Sequence, residues 1–302
     1  MEWVHLGTKL YDCRRWINYR CVLVFMVRIF LHYRAAKTLQ DFFQQSALRA
    51  KALQAHPLFF AQLTRQFFFR GSSAEERLKI IMQSMEAMES VFHMDALERM
   101  YLAGKQPFCL WQYKDREGRR MSLDLCFFDG EVREGAMTLV FRLEDMWVYH
   151  VNFWILCDSK GQRSLYIGCH QGSKNGLAVN KSLTKQFFGY RPKNFILFAL
   201  RILASEIGIQ ALYAVSNYGF YANNHIRKNR KLRVSYDKFW QECGGSVFSE
   251  DSRFYQLPIE EPRKSEDEIP VRKKTVYFKR FAFLDQTESE LRQEIQAHLS
   301  GH

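Results

Sequence analysis

No stretch of this sequence approaches the ~20 consecutive apolar residues needed to cross a bilayer. The N-terminal run Cys21-Val-Leu-Val-Phe-Met-Val27 is stopped by Arg28, and no small-residue cleavage site follows it, so it does not read as a signal peptide either. Cysteines are present at 13, 21, 109, 126, 157, 169 and 243, but no two form a CxxC pair. An odd, scattered set inside apolar runs excludes a disulfide framework or a zinc module and leaves thiols that pack as small hydrophobes. The signatures GxSxG, HExxH, Walker A and GxGxxG are all missing. Serine hydrolase, metalloprotease, P-loop NTPase and dinucleotide-dependent dehydrogenase readings therefore lose their usual support. With only 6 Pro and 16 Gly in 302 residues and no internal repeat, the chain is neither collagenous nor low-complexity.

What is present is apolar and cationic. Hydrophobic residues make up 47% of the chain and charged residues 25%, enough for a substantial core. The 44 Lys and Arg exceed the 32 Asp and Glu by 12, and aromatic residues reach 15%, often beside a cation as in Phe67-Phe-Phe-Arg70. Such a surface suits an anionic membrane, where rings sit at headgroup depth and basic side chains meet lipid phosphate. Nucleic acid is the competing partner and ranks behind it, because the cations are not gathered into a nucleic-acid module. A solvated basic surface with no such partner is the third reading. The expected location is cytoplasmic, peripheral to the inner membrane, with a first helix that is either interfacial or buried.

Periodicity divides the chain into a helical region (1–104), a mixed α/β core (105–258) and a linker with an amphipathic C-terminal helix (259–302). Helices are expected from Trp16, over 35–53 and 57–69, and from a capping box at Ser73-Ala-Glu-Glu76. After Gly104 and Pro107 the period changes from 3.6 to 2. Strands are expected at 108–113, 121–128, 137–143, 147–157 and 164–169, an antiparallel meander. A helical stretch over 181–207, broken at Gly189-Tyr-Arg-Pro192, leads to a strand at 211–215 that closes a right-handed crossover. A short helix at 236–243, a last strand at 253–257, a Pro-containing linker over 258–274 and a helix over 285–299 complete an α+β fold.

Two segments carry possible chemistry. Leu165-Tyr-Ile-Gly-Cys-His-Gln-Gly172, followed by Ser173-Lys-Asn-Gly-Leu-Ala178, is a strand running into a glycine loop and a helix, where backbone N–H groups attract phosphate. Gln171, Gly172, Lys174, Gly176 and Ala178 are its candidate anion-binding residues, with a plain tight turn as the alternative. The second segment holds Asn217 at the carboxyl end of the crossover strand, His225, the basic run from Arg227 through Arg230 to Arg233, and Tyr236. Asn217 stands where ligands bind in open α/β sheets. The arginines suit an oxyanion or form a solvated loop, and His225 and Tyr236 are the candidate acid–base groups. No metal ligand set is apparent.

Leu165–Gly172, Gly189-Tyr-Arg-Pro-Lys193, Val215-Ser-Asn217 and Tyr236-Asp-Lys-Phe-Trp-Gln-Glu-Cys-Gly-Gly245 together resemble the VirK/YbjX family over most of the chain. That resemblance implies a virulence-associated accessory protein of the bacterial envelope. It would act on or near the membrane, be linked to envelope integrity and antimicrobial-peptide resistance, and have an anionic membrane surface or an envelope-biogenesis protein as partner. The order meander, strand, glycine loop, helix, strand, then Tyr236-x-x-Phe-Trp looks like the GNAT acyltransferases. This likeness implies an acyl donor, acyl-CoA or another, and an envelope-related acceptor. GNAT loops usually begin with Gln or Arg where this chain has Ser173; Gly176 and Ala178 fit the pattern.

Overall fold

The computed structural model describes residues 3–11, 16–102, 107–115, 117–128, 133–174, 176–223 and 235–300. Among them the helices α1 (Trp3–Leu10), α2 (Trp16–Leu31), α3 (Tyr33–Gln44), α4 (Ala47–Ala55), α5 (Phe59–Thr64), α6 (Ala74–Glu89) and α7 (Met94–Leu102) come first. A meander follows: β1 (Phe108–Lys114), β2 (Arg120–Cys126), β3 (Met137–Leu143), β4 (Met146–Cys157) and β5 (Arg163–Gly172). The helices α8 (Leu177–Gln186) and α9 (Pro192–Glu206) lead to β6 (Ile209–Val215), then α10 (Tyr236–Glu242), β7 (Ser246–Val247) and β8 (Phe254–Leu257). A short 3-10 turn (Val271–Lys273) opens α11 (Lys274–Ala297).

The strands of the described residues form one sheet in the order β1-β2-β3-β4-β5-β6-β8-β7. Every pairing is antiparallel except β5 with β6, so the expected meander and crossover are both present. Trp154 of β4 lies on one face, against Phe68 and Phe69 of the N-terminal region. On the same side of the molecule α6 is tied to β4 by Ser84, whose hydroxyl donates to the Ile155 carbonyl (3.2 Å) and accepts from its N–H (3.0 Å). The other face is covered by α9, where Phe195 meets Phe141 at 5.1 Å between ring centroids. Phe283 of α11 stacks in turn on Phe187 and Phe195. The result is a helix–sheet–helix sandwich with a continuous core.

Several boundaries differ from expectation for identifiable reasons. The helix expected over 57–69 ends at Thr64. Beyond it Phe68 adopts a positive φ of 66°, donates its N–H to the Arg133 carbonyl at 2.8 Å, and Phe69 bridges to Phe220. Buried Arg77 fixes that turn by donating to the Leu63 carbonyl at 2.7 Å and to Ser72. The span 35–53 divides at Ser46, which caps α4 by accepting from Arg49 N–H (3.2 Å). The capping box is formed as expected, with Ser73 and Glu76 bonded reciprocally at 3.1 and 2.7 Å. α8 starts at Leu177 rather than 181, β5 runs on to Gly172, and α11 starts at Lys274 rather than 285. Residues 274–284 are helical because Phe283 is held by Phe187 and Phe195, contacts far along the chain.

Candidate functional site

The two parallel strands part company where the sequence places its ligand residues. β5 pairs with β6 only as far as Ile167 and Ala214. β5 then continues to Gly172 on its β4 side alone, and β6 stops at Val215. A bulge between Asn152/Cys169 and Phe153/Ile167 places Gly168 at the point of divergence, where a Cβ would collide with the Glu134 carbonyl. The carboxyl ends of β5 and β6 therefore share one edge of the sheet with an opening between them, the usual ligand position of open α/β sheets.

α10 fills the inner part of that opening. Trp240, fully buried, donates its indole N–H to the Val215 carbonyl at 2.9 Å, satisfying a group that the missing strand pair would have used. Tyr236 lies one turn earlier, its hydroxyl close enough to the Gln171 side chain and the His170 backbone for both to bear on its ionisation. Burial, then Cys169 and Glu134 nearby, push its phenol well above the ordinary value. It is therefore a proton donor and not a base at neutral pH. His170 packs against Phe239 (4.7 Å) and donates its Nε2–H to the Lys193 carbonyl (2.8 Å). Burial lowers its pKa to about 4, and the same cause lowers His150 to about 4. Both imidazoles are neutral near pH 7.

Asn217, a candidate ligand residue, is tied into the fold by hydrogen bonds. Its Oδ1 accepts from Tyr236 N–H (2.8 Å), its Nδ2 donates to Ser235 Oγ (3.0 Å), and its own N–H donates to Asp237 (2.7 Å). Asn217 thus fixes the start of α10 and, through it, Tyr236. It is a positioning residue. At the outer end, Gly176 is the N-cap of α8 with no side chain capping the helix, so the first N–H groups of α8 lack an intrahelical partner. A Cβ on Gly176 would stand 2.6 Å from Ser173 Oγ. Lys174, Leu177 and Ala178 beside it are exposed. The structure thus joins Asn217 to Tyr236, brings Gln171 near the same phenol, and leaves Gly172, Lys174 and Ala178 exposed around the buried Gly176. His225, Arg227, Arg230 and Arg233 lie outside the described residues.

Two features were not visible in the sequence. Across β1–β3, a cleft of 590 Å³ holds Asp124, ion-paired with Arg142 at 2.7 Å and hydrogen-bonded to Ser122 at 3.3 Å. Burial raises the Asp124 pKa despite that arginine. The second is α2. Val22, Phe25 and Ile29 are buried, Phe25 to 1% and Ile29 to 2%, whereas Leu23 is 65% and Phe30 80% exposed, with Val27 and Leu31 on the same outer stripe. α2 is thus buried on one face and exposed on the other. From Trp16 to Gln40 there is no Asp or Glu, but Arg20, Arg28, Arg34 and Lys37 are present. Among the described residues no helix is long and apolar enough to cross a membrane, and no three His, Cys, Asp or Glu side chains are placed to hold a metal ion.

The family described as Protein of unknown function (DUF535) matches residues 14–293. The chain is 28% identical over 187 residues to the uncharacterized protein YbjX of Escherichia coli, a match covering 60% of this chain and 56% of that one. It is also 28% identical over 229 residues to an uncharacterized protein of Haemophilus influenzae, covering 73% of this chain and 72% of the relative. The aligned part thus spans little more than half the length of the E. coli relative. Among solved structures, a variant of a cAMP-binding acyltransferase from Mycobacterium smegmatis aligns with 74% of this chain and 63% of its own, at a TM-score of 0.28 and 9% identity.

Proposed function

The chain belongs to the DUF535 family, and from that premise we propose that it is an accessory protein of the bacterial envelope that docks on anionic membrane through the outer face of α2. One observation carries this reading: a helix apolar on both sides, with one side in the core and Leu23, Val27, Phe30 and Leu31 turned outward. A contiguous apolar surface of that kind marks an interaction site. The lack of any Asp or Glu from Trp16 to Gln40, beside four cations, favours a negatively charged surface over a second protein. At 16 residues α2 is about 24 Å long, too short to span the ~30 Å hydrocarbon layer but suited to lie in its interface. The roles in virulence and antimicrobial-peptide resistance that the VirK/YbjX likeness implies belong to this reading.

The test is sedimentation of the purified chain with phosphatidylglycerol-containing vesicles at low and high salt. Binding at low salt, release as the screening length shrinks to ~10 Å and below, and loss of binding in Leu23→Glu/Phe30→Glu are expected. Absence of binding to anionic vesicles at low salt would sink the proposal.

A second reading, acyl transfer, is favoured by the parting of β5 from β6 with the protonated Tyr236 hydroxyl inside it. The unpartnered N–H groups of α8 would receive the phosphates of a donor such as acyl-CoA. An acceptor amine or hydroxyl would attack the acyl carbonyl, the departing thiolate would take the Tyr236 proton, and the proton lost by the acceptor would return to the Tyr236 phenolate. Its test is a thermal shift with acetyl-CoA and long-chain acyl-CoA. If neither moves the transition, this reading is wrong.

A further inference from the structure

A cavity of 990 Å³ lies away from both features above, between α9, α11 and the segment 258–264 that leaves β8. Its size is that of a small-molecule site. Arg201 reaches it from the middle of α9, with a side chain only 4% exposed. A guanidinium offers five N–H donors. Here Nη2 donates to the Cys243 carbonyl at 3.1 Å, Nη1 stands 3.8 Å from Glu261 Oε2, and Nε, fully buried, has no hydrogen-bond partner. A charge so far out of water is costly unless its donors are met, and the carboxylate opposite Nη1 lies beyond hydrogen-bond distance.

A second donor faces the same carboxylate. Tyr190 donates its hydroxyl to Glu261. Burial, together with that carboxylate, raises its pKa, so it stays a donor. Ile202, Phe281 and Leu284 form an apolar wall beside these polar groups. Glu261 comes from an irregular segment between Pro258 and Pro262, and its side chain is 29% exposed at the mouth. The carboxylate that meets Arg201 is thus held from outside the cavity by a piece of chain anchored in no strand or helix.

We propose that this cavity binds an anionic amphiphile, whose phosphate or carboxylate head takes the place of Glu261 on Arg201 and Tyr190 while its chain lies on Ile202, Phe281 and Leu284. Glu261 is then an internal occupant that competes with the ligand. The proposal is independent of the docking of α2 and of the β5–β6 opening.

Isothermal titration of the full chain with dodecyl phosphate and dodecanoate, each below its critical micelle concentration, tests it. Dodecanol and inorganic phosphate are the arms that separate head from chain. Saturable one-to-one binding of at least one anionic amphiphile is expected, with dodecanol and phosphate alone much weaker; the head group that binds identifies the preferred anion. Glu261→Gln should tighten that binding roughly tenfold by removing a like charge from the head-group position, and Glu261→Ala should act in the same direction. A carboxylate that merely staples the segment would give weaker or unchanged affinity in both variants, and that outcome overturns the proposal. So does the absence of binding by either anionic amphiphile. Leu23→Glu/Phe30→Glu should leave the affinity unchanged; if binding disappears there, the amphiphile sits on α2 and the cavity assignment is wrong.

Discussion

His150 and His170 show how burial sets chemistry at single residues. Each has a folded-state pKa near 4 against an ordinary 6.5, because the charged imidazole is excluded from water. The unfolded chain therefore takes up these protons first as pH falls. The contribution to stability is complete above about 6.5 and is lost on going down toward 4, at an order of 3 kcal/mol per histidine over the whole window. Urea midpoints should fall steadily from pH 7 to pH 5. A flat profile there would show that the two rings are solvated. Asp124, whose carboxyl is raised by burial, acts in the opposite sense toward the acid end. Asn217 offers a second residue-scale test. Asn217→Ala removes its bonds to Tyr236 N–H and Ser235, which should cost about 1–2 kcal/mol, as the loss of a helix cap does. Chemical denaturation of the variant checks it, and an unchanged midpoint would mean that α10 is set by Trp240 alone.

α2 supplies the clearest contrast among the elements, because two phenylalanines five residues apart face different solvents. Phe25→Ala empties a core position and should cost about 3–5 kcal/mol. Phe30→Ala should change stability by less than about 0.5 kcal/mol while weakening the binding of anionic vesicles. Equal losses of stability in the two variants, measured by urea unfolding, would show that Phe30 is covered within the protein. At α6, Ser73→Ala opens the capping box and should cost about 1 kcal/mol in the same measurement.

For the molecule as a whole, the core decides cooperativity. Buried residues from Leu6 and Phe25 in the N-terminal helices, through the sheet, to Leu284 and Ile295 in α11 belong to one cluster. Trp3 packs on Phe60, Trp154 on Phe69, and Trp240 on Phe239, so the indoles report from separate parts of it. Tryptophan fluorescence and far-UV circular dichroism should therefore trace a single, coincident urea transition. Two separated transitions would mean that the helical region and the sheet fold independently.

Local chemistry settled much of this fold from the sequence. The Ser73/Glu76 box, Pro192 at the head of α9 and the turn at Asp115–Gly118 between β1 and β2 each act within a few residues, and period-2 alternation marked the strands. The loop from Gln171 to Ala178 and the start of α10 were legible for the same reason. Other features depend on partners that are distant along the chain. Phe67–Phe69 continue a helical pattern, yet Arg77, Arg133 and Phe220 draw them out of α5. Residues 275–284 lie between the linker read over 258–274 and the helix read from 285, and are helical against Phe187 and Phe195. Asn217 reads as a ligand residue in the sequence, and its bond to Tyr236 exists only because α10 folds back onto it. Arg201, a cation in the apolar middle of α9, has no meaning in the sequence. It acquires one when packing brings Cys243 and Glu261 to the same side of α9 and shuts out water, because the environment of a charge is a property of the assembled fold.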